Sequence, residues 1–384
     1  MAQSTGSLTS TLNEFKEDDE VDPPPTYERR VAYSWRQYHG QDNWAGLLDP
    51  LDPILRVELL VYGEMAQFTY DAFDYDPYSK YCGSCRFPPN KFFKGLAELD
   101  IGYEVARYLY ATSNISLPNF FKKSFSANVW NKNANWMGYI AVSNDKLSKK
   151  LGRRDIVVVW RGTITELEWV ADLTDYLKPI SEYGVPCPDP SVKVETGFVD
   201  LYTDKVDDDP FCKLSAREQM INELKEIIPR YPNEELSITV TGHSLGGALT
   251  VLSAYDIVES GLNVMGNGRG IPVCGFTFAG PRVGNLKFKE RLENKLGVKI
   301  LRVLNVNDMV PKFPGVILNE TTPPCIFNAL QWLPWAYTHV GVKIELDHND
   351  SPYLKKSSNI GDFHNLETHL HLVDGLVSFN FHNT

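Results

Sequence analysis

The middle of the chain alternates short apolar runs with helical stretches, and this alternation limits the fold more than any other feature. Four runs have the length and residue types of strands: 155–160, 236–240, 273–278 and 299–304. Helical stretches lie before or between them, at 214–229, 245–260 and 285–296. Strands alternating with helices predict right-handed crossovers and a mostly parallel sheet covered by helices on both faces. The predicted class is α/β.

Local signals mark some of the predicted helices. Ser215 and Glu218 form a capping-box pattern, in which each side chain satisfies a backbone N–H group at the helix start. Apolar spacing predicts an amphipathic helix within residues 43–73, with Pro53 in its first turn. The stretch 98–113 is also predicted to be helical.

Length and charge exclude several classes of protein. The chain has 384 residues, 43% of them apolar, which is enough to bury a large core. Its formal net charge of −11 argues against nucleic-acid binding, because phosphate contacts need a basic face. No apolar run reaches the roughly 18–20 residues that a transmembrane helix needs. We expect a protein that is soluble or at most bound to a membrane surface.

The six cysteines are scattered along the chain rather than arranged as a dense disulfide framework, which favours a reducing compartment. Cys82 and Cys85 have the spacing of a redox or zinc pair. No second cysteine pair or spaced Cys/His pair completes a metal site, however. We therefore expect a turn beside buried thiols, and no metal ion or other cofactor.

The first residues have a composition typical of disorder. Residues 1–25 contain six acidic residues against one lysine and end in three prolines. They lack the apolar stretch of a secretory signal and the Ser- and Arg-rich composition of a transit peptide. We expect an acidic, proline-containing tail over residues 1–32 and one domain over residues 33–384.

A serine in a glycine-rich bend is the strongest candidate for chemistry. The segment Gly242-His243-Ser244-Leu245-Gly246 fits the pattern G-x-S-x-G, directly follows a predicted strand and opens an apolar helix. This strand–turn–helix context holds a nucleophilic serine on a strained bend, and the glycines avoid collisions as the chain reverses. An ordinary turn with a serine cap is the alternative.

A serine nucleophile needs a base that accepts its proton and a carboxylate that orients the base. In α/β-hydrolase topology the acid follows the serine along the chain and lies just beyond a later strand. Asp308 meets this requirement, because it follows the strand predicted at 299–304. A loop-stabilising Asx turn is its alternative role. Asp256 and Asp347 fit less well, since the first is mid-helix and the second lies in a polar stretch.

Chain order leaves several histidines as the possible base. They are His339, His348, His364, His369, His371 and His382. His364 lies at a predicted junction of loop and helix, from which a side chain can reach a site. His371 lies about two helical turns further on and would share its helix face. Spacing alone leaves His364 and His371 equal, with His339 third.

The oxyanion of an acyl-transfer intermediate needs at least two preorganised N–H donors. Leu245, directly after the serine, is expected to supply one. The second is expected from a loop after an earlier strand. Thr163 fits, because it follows the strand predicted at 155–160, and its hydroxyl is a further donor. A simple turn at the strand end is the alternative.

Two apolar stretches are candidates for contact with an apolar substrate. Residues 164–177 place Leu167, Trp169 and Val170 among acidic residues, a pattern typical of an amphipathic lid. A helix packed permanently on the core is the alternative. Residues 326–337 are apolar and aromatic, and they could line an acyl pocket or belong to the core.

Several motifs resemble those of the class 3 lipases, in order along the chain. They are Trp160-Arg-Gly-Thr163, Trp169-Val-Ala-Asp-Leu173, Glu195-Thr-Gly-Phe198, Thr241-Gly-His-Ser-Leu-Gly-Gly247, Phe278-Ala-Gly-Pro-Arg282, Asn307-Asp308 and His364-Asn-Leu-Glu367. Three N-terminal motifs resemble the plant phospholipases A1 of the plastid gamma type. They are Trp35-Arg-Gln-Tyr-His-Gly40, Asn43-Trp-Ala-Gly-Leu-Leu-Asp-Pro50 and Tyr81-Cys-Gly-Ser-Cys-Arg-Phe87. The resemblance covers about residues 33–375.

The resemblance implies an α/β-hydrolase fold and an acyl hydrolase that removes the sn-1 acyl chain of phospholipids, and often attacks galactolipids and triacylglycerols. It implies Ser244 as nucleophile, Asp308 as acid and His364 as base. Thr163 and Leu245 match the oxyanion positions, and the segment after Thr163 matches the lid. A glycerolipid substrate at a membrane or lipid-droplet surface and a chloroplast location are also implied, with the cytoplasm as the alternative location.

Two departures from the family pattern set further expectations. Family members usually carry a long plastid presequence and continue well past the base, whereas this chain ends at Thr384. We therefore expect a lipase domain shortened at both ends, with weaker support for a sheet edge or for the loop that bears His364, and with reduced or lost activity. A lipase-like interaction protein and a serine esterase for water-soluble esters are the competing hypotheses.

Overall fold

The described part of the chain is a set of helices packed on both faces of a sheet. The structure, a computed structural model, describes residues 27–97, 100–112, 125–126, 128–163, 176–356 and 359–379. Most of the predicted acidic tail lies outside these residues. Helix α1 (Tyr27–Tyr38) begins before residue 32 and buries Val31 in the core, so the predicted tail boundary is too far along the chain.

Seven of the described strands form the central sheet. In chain order the strands are β1 (Tyr103–Thr112), β2 (Ala134–Ser143), β3 (Arg154–Trp160), β4 (Leu177–Pro179), β5 (Lys193–Glu195), β6 (Leu236–His243), β7 (Val273–Phe278), β8 (Lys299–Asn305) and β9 (Val342–Leu346). The sheet order is β1-β2-β3-β6-β7-β8-β9, and β4 pairs with β5 separately. From β3 to β9 all pairs are parallel, whereas β1, β2 and β3 pair antiparallel. The prediction of a mostly parallel α/β sheet is confirmed.

The predicted helix over 98–113 is wrong, because β1 occupies most of it. Two register shifts interrupt its pairing with β2, between Val105 and Arg107 and between Leu109 and Tyr110. Each shift breaks the alternation of apolar and polar residues that marks a strand. The remaining apolar spacing resembles that of a helix, which explains the error.

The helices of the middle region follow the prediction closely. In chain order the helices are α1, α2 (Pro53–Asp71), α3 (Phe92–Leu96), α4 (Asp145–Leu151), α5 (Thr196–Thr203), α6 (Ala216–Ile227), α7 (Leu245–Glu259), α8 (Leu286–Glu290), α9 (Pro324–Leu330), α10 (Ile360–His364) and α11 (Leu366–Phe379). The helix predicted at 285–296 is α8 continued by a π-helical turn. Within the described ranges, none of the helices combines the length and the apolar character needed to cross a bilayer.

Caps fix the starts of the two helices with the clearest sequence signals. Pro53 occupies the first turn of α2, as predicted, and the Asp52 carboxylate accepts hydrogen bonds from the N–H groups of Ile54 and Leu55. At α6 both bonds of the predicted capping box form. The Ser215 hydroxyl accepts from the Glu218 N–H, and the Glu218 carboxylate accepts from the Ser215 N–H.

Each face of the sheet carries its own hydrophobic cluster. Along β3, Ile156 and Val158 belong to the cluster under α7, whereas Val157 and Val159 belong to the cluster under α2 and α11. A strand buried on both faces reads as a continuous apolar run, as this one does. The sheet is therefore a rigid layer between two packed cores, and it fixes where its strand ends lie.

A buried carboxylate joins the amino-terminal ends of β3 and β6 to helix α2. Asp155 accepts hydrogen bonds from the hydroxyls of Tyr62 and Tyr103, each at 2.9 Å. It also accepts from Ser237 at 2.6 Å and Thr239 at 2.8 Å. A carboxyl group surrounded by donors in the core gives this end of the sheet a defined arrangement.

Candidate active site

The candidate residues lie at the carboxyl edge of the parallel strands. Ser244 follows β6, Asp308 lies just beyond β8, and the segment 161–163 follows β3. His364 ends the short helix α10, which comes after β9. Ligands of open α/β sheets bind outside the carboxyl ends of the strands. The fold thus brings side chains from distant parts of the sequence to one edge.

Ser244 lies on a strained bend between β6 and α7. Its backbone angles are φ 59° and ψ −126°, a conformation that side-chain-bearing residues rarely adopt. A Cβ atom on Gly242 would lie 2.4 Å from the carbonyl oxygen of Gly246, and one on Gly246 would lie 2.3 Å from that of Trp160. The two glycines are therefore required for the bend, as the sequence analysis predicts.

Ser244, His364 and Asp308 are joined by two hydrogen bonds. His364 Nε2 lies 2.8 Å from Ser244 Oγ, and its Nδ1 lies 2.7 Å from Asp308 Oδ2. Because an ionised carboxylate only accepts, Nδ1 carries the proton and Nε2 accepts from the serine hydroxyl. The other Asp308 oxygen accepts from the Val310 N–H at 2.9 Å, so Asp308 also forms the Asx turn named as its alternative role.

The other histidines considered as the base contact different partners. His371 Nε2 bonds the Ser351 hydroxyl at 2.9 Å, and His339 Nε2 bonds the Pro311 carbonyl at 2.7 Å. His348 bonds the carbonyl of Lys355, and His369 that of Asn365. His382 lies outside the described residues.

The expectation that His364 and His371 share a helix face is wrong. His364 ends α10, and Asn365 is extended, with φ −65° and ψ 128°. Helix α11 begins only at Leu366, so the two histidines belong to different helices. A helical repeat cannot be counted across such a break.

The two weaker candidates for the acid take part in other interactions. Asp256 forms an ion pair with Arg217 at 2.6 Å and accepts from the Tyr202 hydroxyl at 2.9 Å. Asp347 accepts from the Asn307 side-chain amide at 3.1 Å. Among the described residues, neither carboxylate hydrogen-bonds a histidine ring.

The segment expected to supply the oxyanion donors packs against the serine bend. A Cβ atom on Gly162 would lie 3.2 Å from Ser244 Cβ and 2.6 Å from the His243 carbonyl oxygen, so Gly162 lies in direct contact with the bend. Thr163 is the next residue. Leu245 opens α7, and the first N–H groups of a helix have no acceptor within it. Thr163 and Leu245 thus lie beside the bend that carries Ser244.

The buried Arg161 and the half-buried Tyr70 hold Gly162 in this place. Arg161 donates from Nη1 to the Gly162 carbonyl at 2.8 Å and from Nε to the Trp136 carbonyl at 3.0 Å. Burial lowers the pKa of Arg161 to about 9, which still leaves the guanidinium charged at neutral pH. The Tyr70 hydroxyl hydrogen-bonds the Gly162 backbone, and burial raises the pKa of this tyrosine, so it stays protonated.

A series of hydrogen bonds leads from Tyr70 through His243 to His364, the residue that contacts Ser244. Tyr70 OH lies 2.7 Å from His243 Nδ1, and His243 Nε2 lies 2.7 Å from the His364 carbonyl oxygen. Burial, together with the neighbouring His364 and His369, holds the pKa of His243 well below its usual value, so the ring is neutral. Because a carbonyl only accepts, Nε2 carries the proton and Nδ1 accepts from Tyr70.

Sequence reasoning missed this role for Tyr70 and His243. His243 was excluded as a base by chain order, and nothing in the spacing of α2 marks Tyr70. The only sequence signal was that His243 is adjacent to Ser244. The contacts connect β6, the end of α2 and α10, and such long-range packing is not visible in a local pattern.

The predicted lid lies mostly outside the described residues, including Leu167, Trp169 and Val170. It stays a prediction. Its expected end at 177 is too late, because Leu177 belongs to β4 and pairs with Glu195 of β5.

The apolar stretch 326–337 is divided between core and surface. Phe327, Ala336 and Tyr337 are buried, whereas Trp332 and Trp335 are exposed. Of the two alternatives left open for this stretch, a place in the core fits the buried residues and does not fit the two tryptophans.

No cluster of the described residues has the donors of a metal site. Groups of three or more His, Cys, Asp or Glu side chains with suitable geometry were not found among them. Cys82 is buried and Cys85 half-buried, and both carry thiols rather than a disulfide. The Cys85 thiol donates to the Tyr108 hydroxyl at 3.4 Å.

The arrangement is suited to nucleophilic attack on a carbonyl carbon. A hydroxyl bonded to an imidazole, which is itself oriented by a carboxylate, is the constellation that activates serine. It stands on a strand–turn–helix bend at the carboxyl edge of a mostly parallel sheet. Fold and site together define an α/β-hydrolase.

Comparison with known proteins gives the family. Residues 157–318 match the sequence model of the lipase (class 3) family. The chain is 56% identical over 378 residues to chloroplastic phospholipase A1-Igamma2 of Arabidopsis thaliana, covering 97% of this chain and 71% of the relative. It is 43% identical to the chloroplastic galactolipase DONGLE of the same plant, covering 91% and 72%. The chain belongs to the class 3 lipase family, within its plant phospholipase A1 branch, and is a carboxylic ester hydrolase.

Solved structures of fungal lipases are also similar. The Lip2 lipase from Yarrowia lipolytica has a TM-score of 0.48 and 17% identity, covering 77% of this chain and 80% of that chain. Lipase II from Rhizopus niveus has a TM-score of 0.40 and 21% identity, covering 73% and 79%.

Proposed function

We propose that this protein hydrolyses the sn-1 ester of glycerolipids through an acyl-enzyme, with Ser244 as nucleophile, His364 as base and Asp308 as the acid that orients the base. The observation that carries the proposal is the unbroken series of hydrogen bonds from Ser244 Oγ through His364 to Asp308, at 2.8 and 2.7 Å. The strained backbone of Ser244 is the second feature of an activated serine.

In the proposed reaction, Ser244 Oγ attacks the ester carbonyl while its proton passes to His364 Nε2. Asp308 stabilises the imidazolium that forms. The N–H groups of Leu245 and Thr163 receive the oxyanion, and Arg161 and Tyr70 hold the Thr163 loop. The intermediate collapses as His364 returns the proton to the leaving alkoxide. A water molecule, deprotonated by His364, then attacks the acyl carbon; the bond to Ser244 Oγ breaks as His364 returns the proton to that oxygen, and the fatty acid is released.

The substrate class is supported by the names of the relatives. The similar Arabidopsis proteins are phospholipases A1 and a galactolipase, all of which cleave esters of glycerolipids. Phospholipids and galactolipids share the glycerol ester and differ in their head group. We infer that the ester, rather than one head group, defines the substrate. The same relatives are named chloroplastic, which supports a chloroplast location for this chain.

Burial of the nucleophile sets a condition on catalysis. Ser244 is only 1% exposed, and Asp308 is equally buried. From this burial we infer that neighbouring residues move before an ester reaches Ser244 Oγ. We therefore expect low activity on dispersed esters and a higher rate once the substrate forms aggregates. A serine esterase for soluble esters would show no such rise.

Fatty-acid release from labelled lipids tests the proposal. Phosphatidylcholine, galactolipid and triacylglycerol, labelled at sn-1 or sn-2, are incubated with wild type and with Ser244→Ala. We expect release from sn-1 and a loss of at least about 10⁴-fold in the variant. Unchanged release by Ser244→Ala would refute the nucleophile. Lack of both hydrolysis and labelling by a fluorophosphonate would instead favour the interaction protein.

A matched pair of variants tests the base. His364→Ala is expected to lose activity as severely as Ser244→Ala, because the two act as a unit. His371→Ala, seven residues away and bonded to Ser351, is expected to keep it. Loss only in His371→Ala would overturn the assignment.

A further inference from the structure

One surface next to the site is nearly free of charge. The 25 residues from Phe313 to Tyr337 include a single charged side chain, Glu320, whereas 23% of the whole chain is charged. Glu320 forms an ion pair with Arg282 at 3.0 Å. Burial alone would raise the pKa of Glu320, but Arg282 lowers it below its usual value. The pair therefore stays ionised and its charges cancel.

Apolar side chains cover the outside of this segment. We call them the apolar patch, which consists of Val316, Ile317, Ile326, Leu330, Trp332 and Trp335, all exposed. Ile317 is 89% exposed and Trp332 72%. Single exposed apolar residues are ordinary, but so many on one uncharged segment mark a surface that binds something apolar.

The patch is built on an ordered base. Leu318, Phe327 and Ala336 form a small hydrophobic cluster of their own. The Tyr337 N–H donates to the Leu318 carbonyl at 3.2 Å, and the Asn319 side-chain amide donates to the Gly315 carbonyl at 2.7 Å. The segment 315–319 and helix α9 are thereby fixed to each other. Buried neighbours thus hold the exposed residues on the outside.

The patch is also joined to the loop that bears Asp308. Arg282 donates to the carbonyls of Lys312 and Pro314, between Asp308 and the patch. The Asp308 carboxylate itself fixes the Val310 N–H at 2.9 Å. A short, cross-linked stretch of chain therefore separates the patch from the triad.

We propose that the apolar patch inserts into the surface of a lipid bilayer with uncharged or zwitterionic head groups and so brings the triad to its substrate. The proposal rests on the proposed function. Trp332 and Trp335 are the side chains that favour the boundary between head groups and acyl chains, and Ile317 and Ile326 would enter the acyl region. The segment has no Lys or Arg to bind anionic lipid, and the whole chain carries a charge of −11.

The test measures binding separately from hydrolysis. The full chain carrying Ser244→Ala is mixed with phosphatidylcholine vesicles, and the bound fraction is measured by flotation. We compare it with the same chain carrying Ile317→Ser and Trp332→Ser. The matched control carries Tyr33→Ser, because Tyr33 is 87% exposed but lies on α1.

We expect the patch variant to bind at least about tenfold more weakly and the control to bind as its parent does, since burying one large apolar side chain changes a partition constant by that order. Anionic phosphatidylglycerol in the vesicles is expected not to strengthen binding. Equal binding by parent and patch variant, no binding by the parent, or stronger binding to anionic vesicles would overturn the proposal. So would a concentration-dependent dimer in sedimentation that the patch substitutions abolish, because the patch would then contact a second copy.

Hydrolysis of a short soluble ester, measured with Ser244 intact, separates this proposal from the proposed function. The patch variant is expected to keep the wild-type rate on that ester. Absence of wild-type hydrolysis of both this ester and the labelled lipids would refute the proposed function while leaving the binding result valid. Normal hydrolysis combined with unaltered vesicle binding would refute only the role of the patch.

Discussion

His243 Nε2 lies 2.7 Å from the backbone carbonyl oxygen of His364, so the residue before the proposed nucleophile holds the main chain of the proposed base. On its other side, His243 accepts from Tyr70, which also hydrogen-bonds Gly162. One chain of polar groups therefore connects the segment beside the oxyanion position with the base. We expect this connection to fix the relative positions of both.

Tyr70→Phe tests the connection while keeping the ring in place. The change removes the donor to His243 Nδ1 and the acceptor at Gly162, leaving buried polar groups unpaired. We expect kcat to fall about tenfold with little change in KM, because the misplacement affects the reacting groups more than substrate binding. Steady-state kinetics on a soluble ester measure kcat and KM separately.

Tyr78→Phe is the control for Tyr70→Phe. Tyr78 is exposed, so removal of its hydroxyl is expected to leave both constants unchanged. If Tyr70→Phe kept the wild-type kcat, the positioning role would be wrong. A proportional loss of kcat and of folded protein would indicate a purely structural role instead.

We expect one added methyl group to impair activity at the bend that carries Ser244 and to have no effect at an open glycine elsewhere. A Cβ atom on Gly242 would lie 2.4 Å from the Gly246 carbonyl oxygen, so Gly242→Ala must displace the backbone that carries Ser244. We expect a loss of about a hundredfold in kcat/KM, the order that a displacement near 1 Å costs. Gly266→Ala, where a Cβ atom meets nothing within 4 Å, is expected to be neutral. Similar kinetics for the two variants would contradict this account.

Sequence patterns predicted the elements whose signals are local. Helix α6 has a capping box, and the strand at 155–160 is a continuous apolar run, and both lie where the patterns indicate. Strand β1 was mistaken for a helix because its register shifts with β2 remove the period of two. Those shifts depend on the partner strand, and a single segment does not reveal its partner.

In the candidate site, too, some residues follow from local patterns and others do not. Ser244 and Asp308 were identified from their places after strands, which chain order supports. The choice between His364 and His371 was left open by spacing and decided only by resemblance, because the break at Asn365 is not visible in a count of residues. Tyr70 was missed, since its contact with His243 joins residues 173 positions apart.

Stability is expected to depend on the buried carboxylate at the opposite end of the sheet. Asp155 accepts hydrogen bonds from four hydroxyl groups. In Asp155→Asn the side-chain NH₂ group would face some of these hydroxyl donors, and those hydrogen bonds would be lost. We expect the free energy of unfolding in urea to fall by roughly 2–4 kcal/mol. Asp145→Asn, which removes a charge from an exposed side chain paired with Arg154, is expected to change it by less than about 0.5 kcal/mol. A loss no larger than that of the control would show that the buried network contributes little.

A buried carboxyl on α2 is expected to make the fold less stable as pH rises from the ordinary glutamate range to about 8. Burial, with Asp71 and Glu367 nearby, raises the pKa of Glu64 to about 8. Between the ordinary pKa of a glutamate and this value, the folded state keeps a proton that the unfolded state releases. The free energy of unfolding therefore falls as pH rises through that window, by at most about 1.4 kcal/mol per pH unit.

Glu64→Gln removes this titration and keeps the size of the side chain. We expect wild type and variant to be equally stable near the lower end of the window, and the variant to be more stable at and above the raised pKa of Glu64. Urea unfolding of both proteins across the window measures the difference, in which other titrating groups cancel. Glu182→Gln, at an exposed position, is the control and is expected to leave the pH profile unchanged. If the difference between wild type and Glu64→Gln did not grow with pH, Glu64 would be ionised in the folded protein, and a partner for its charge would have to be sought on α2 or α11.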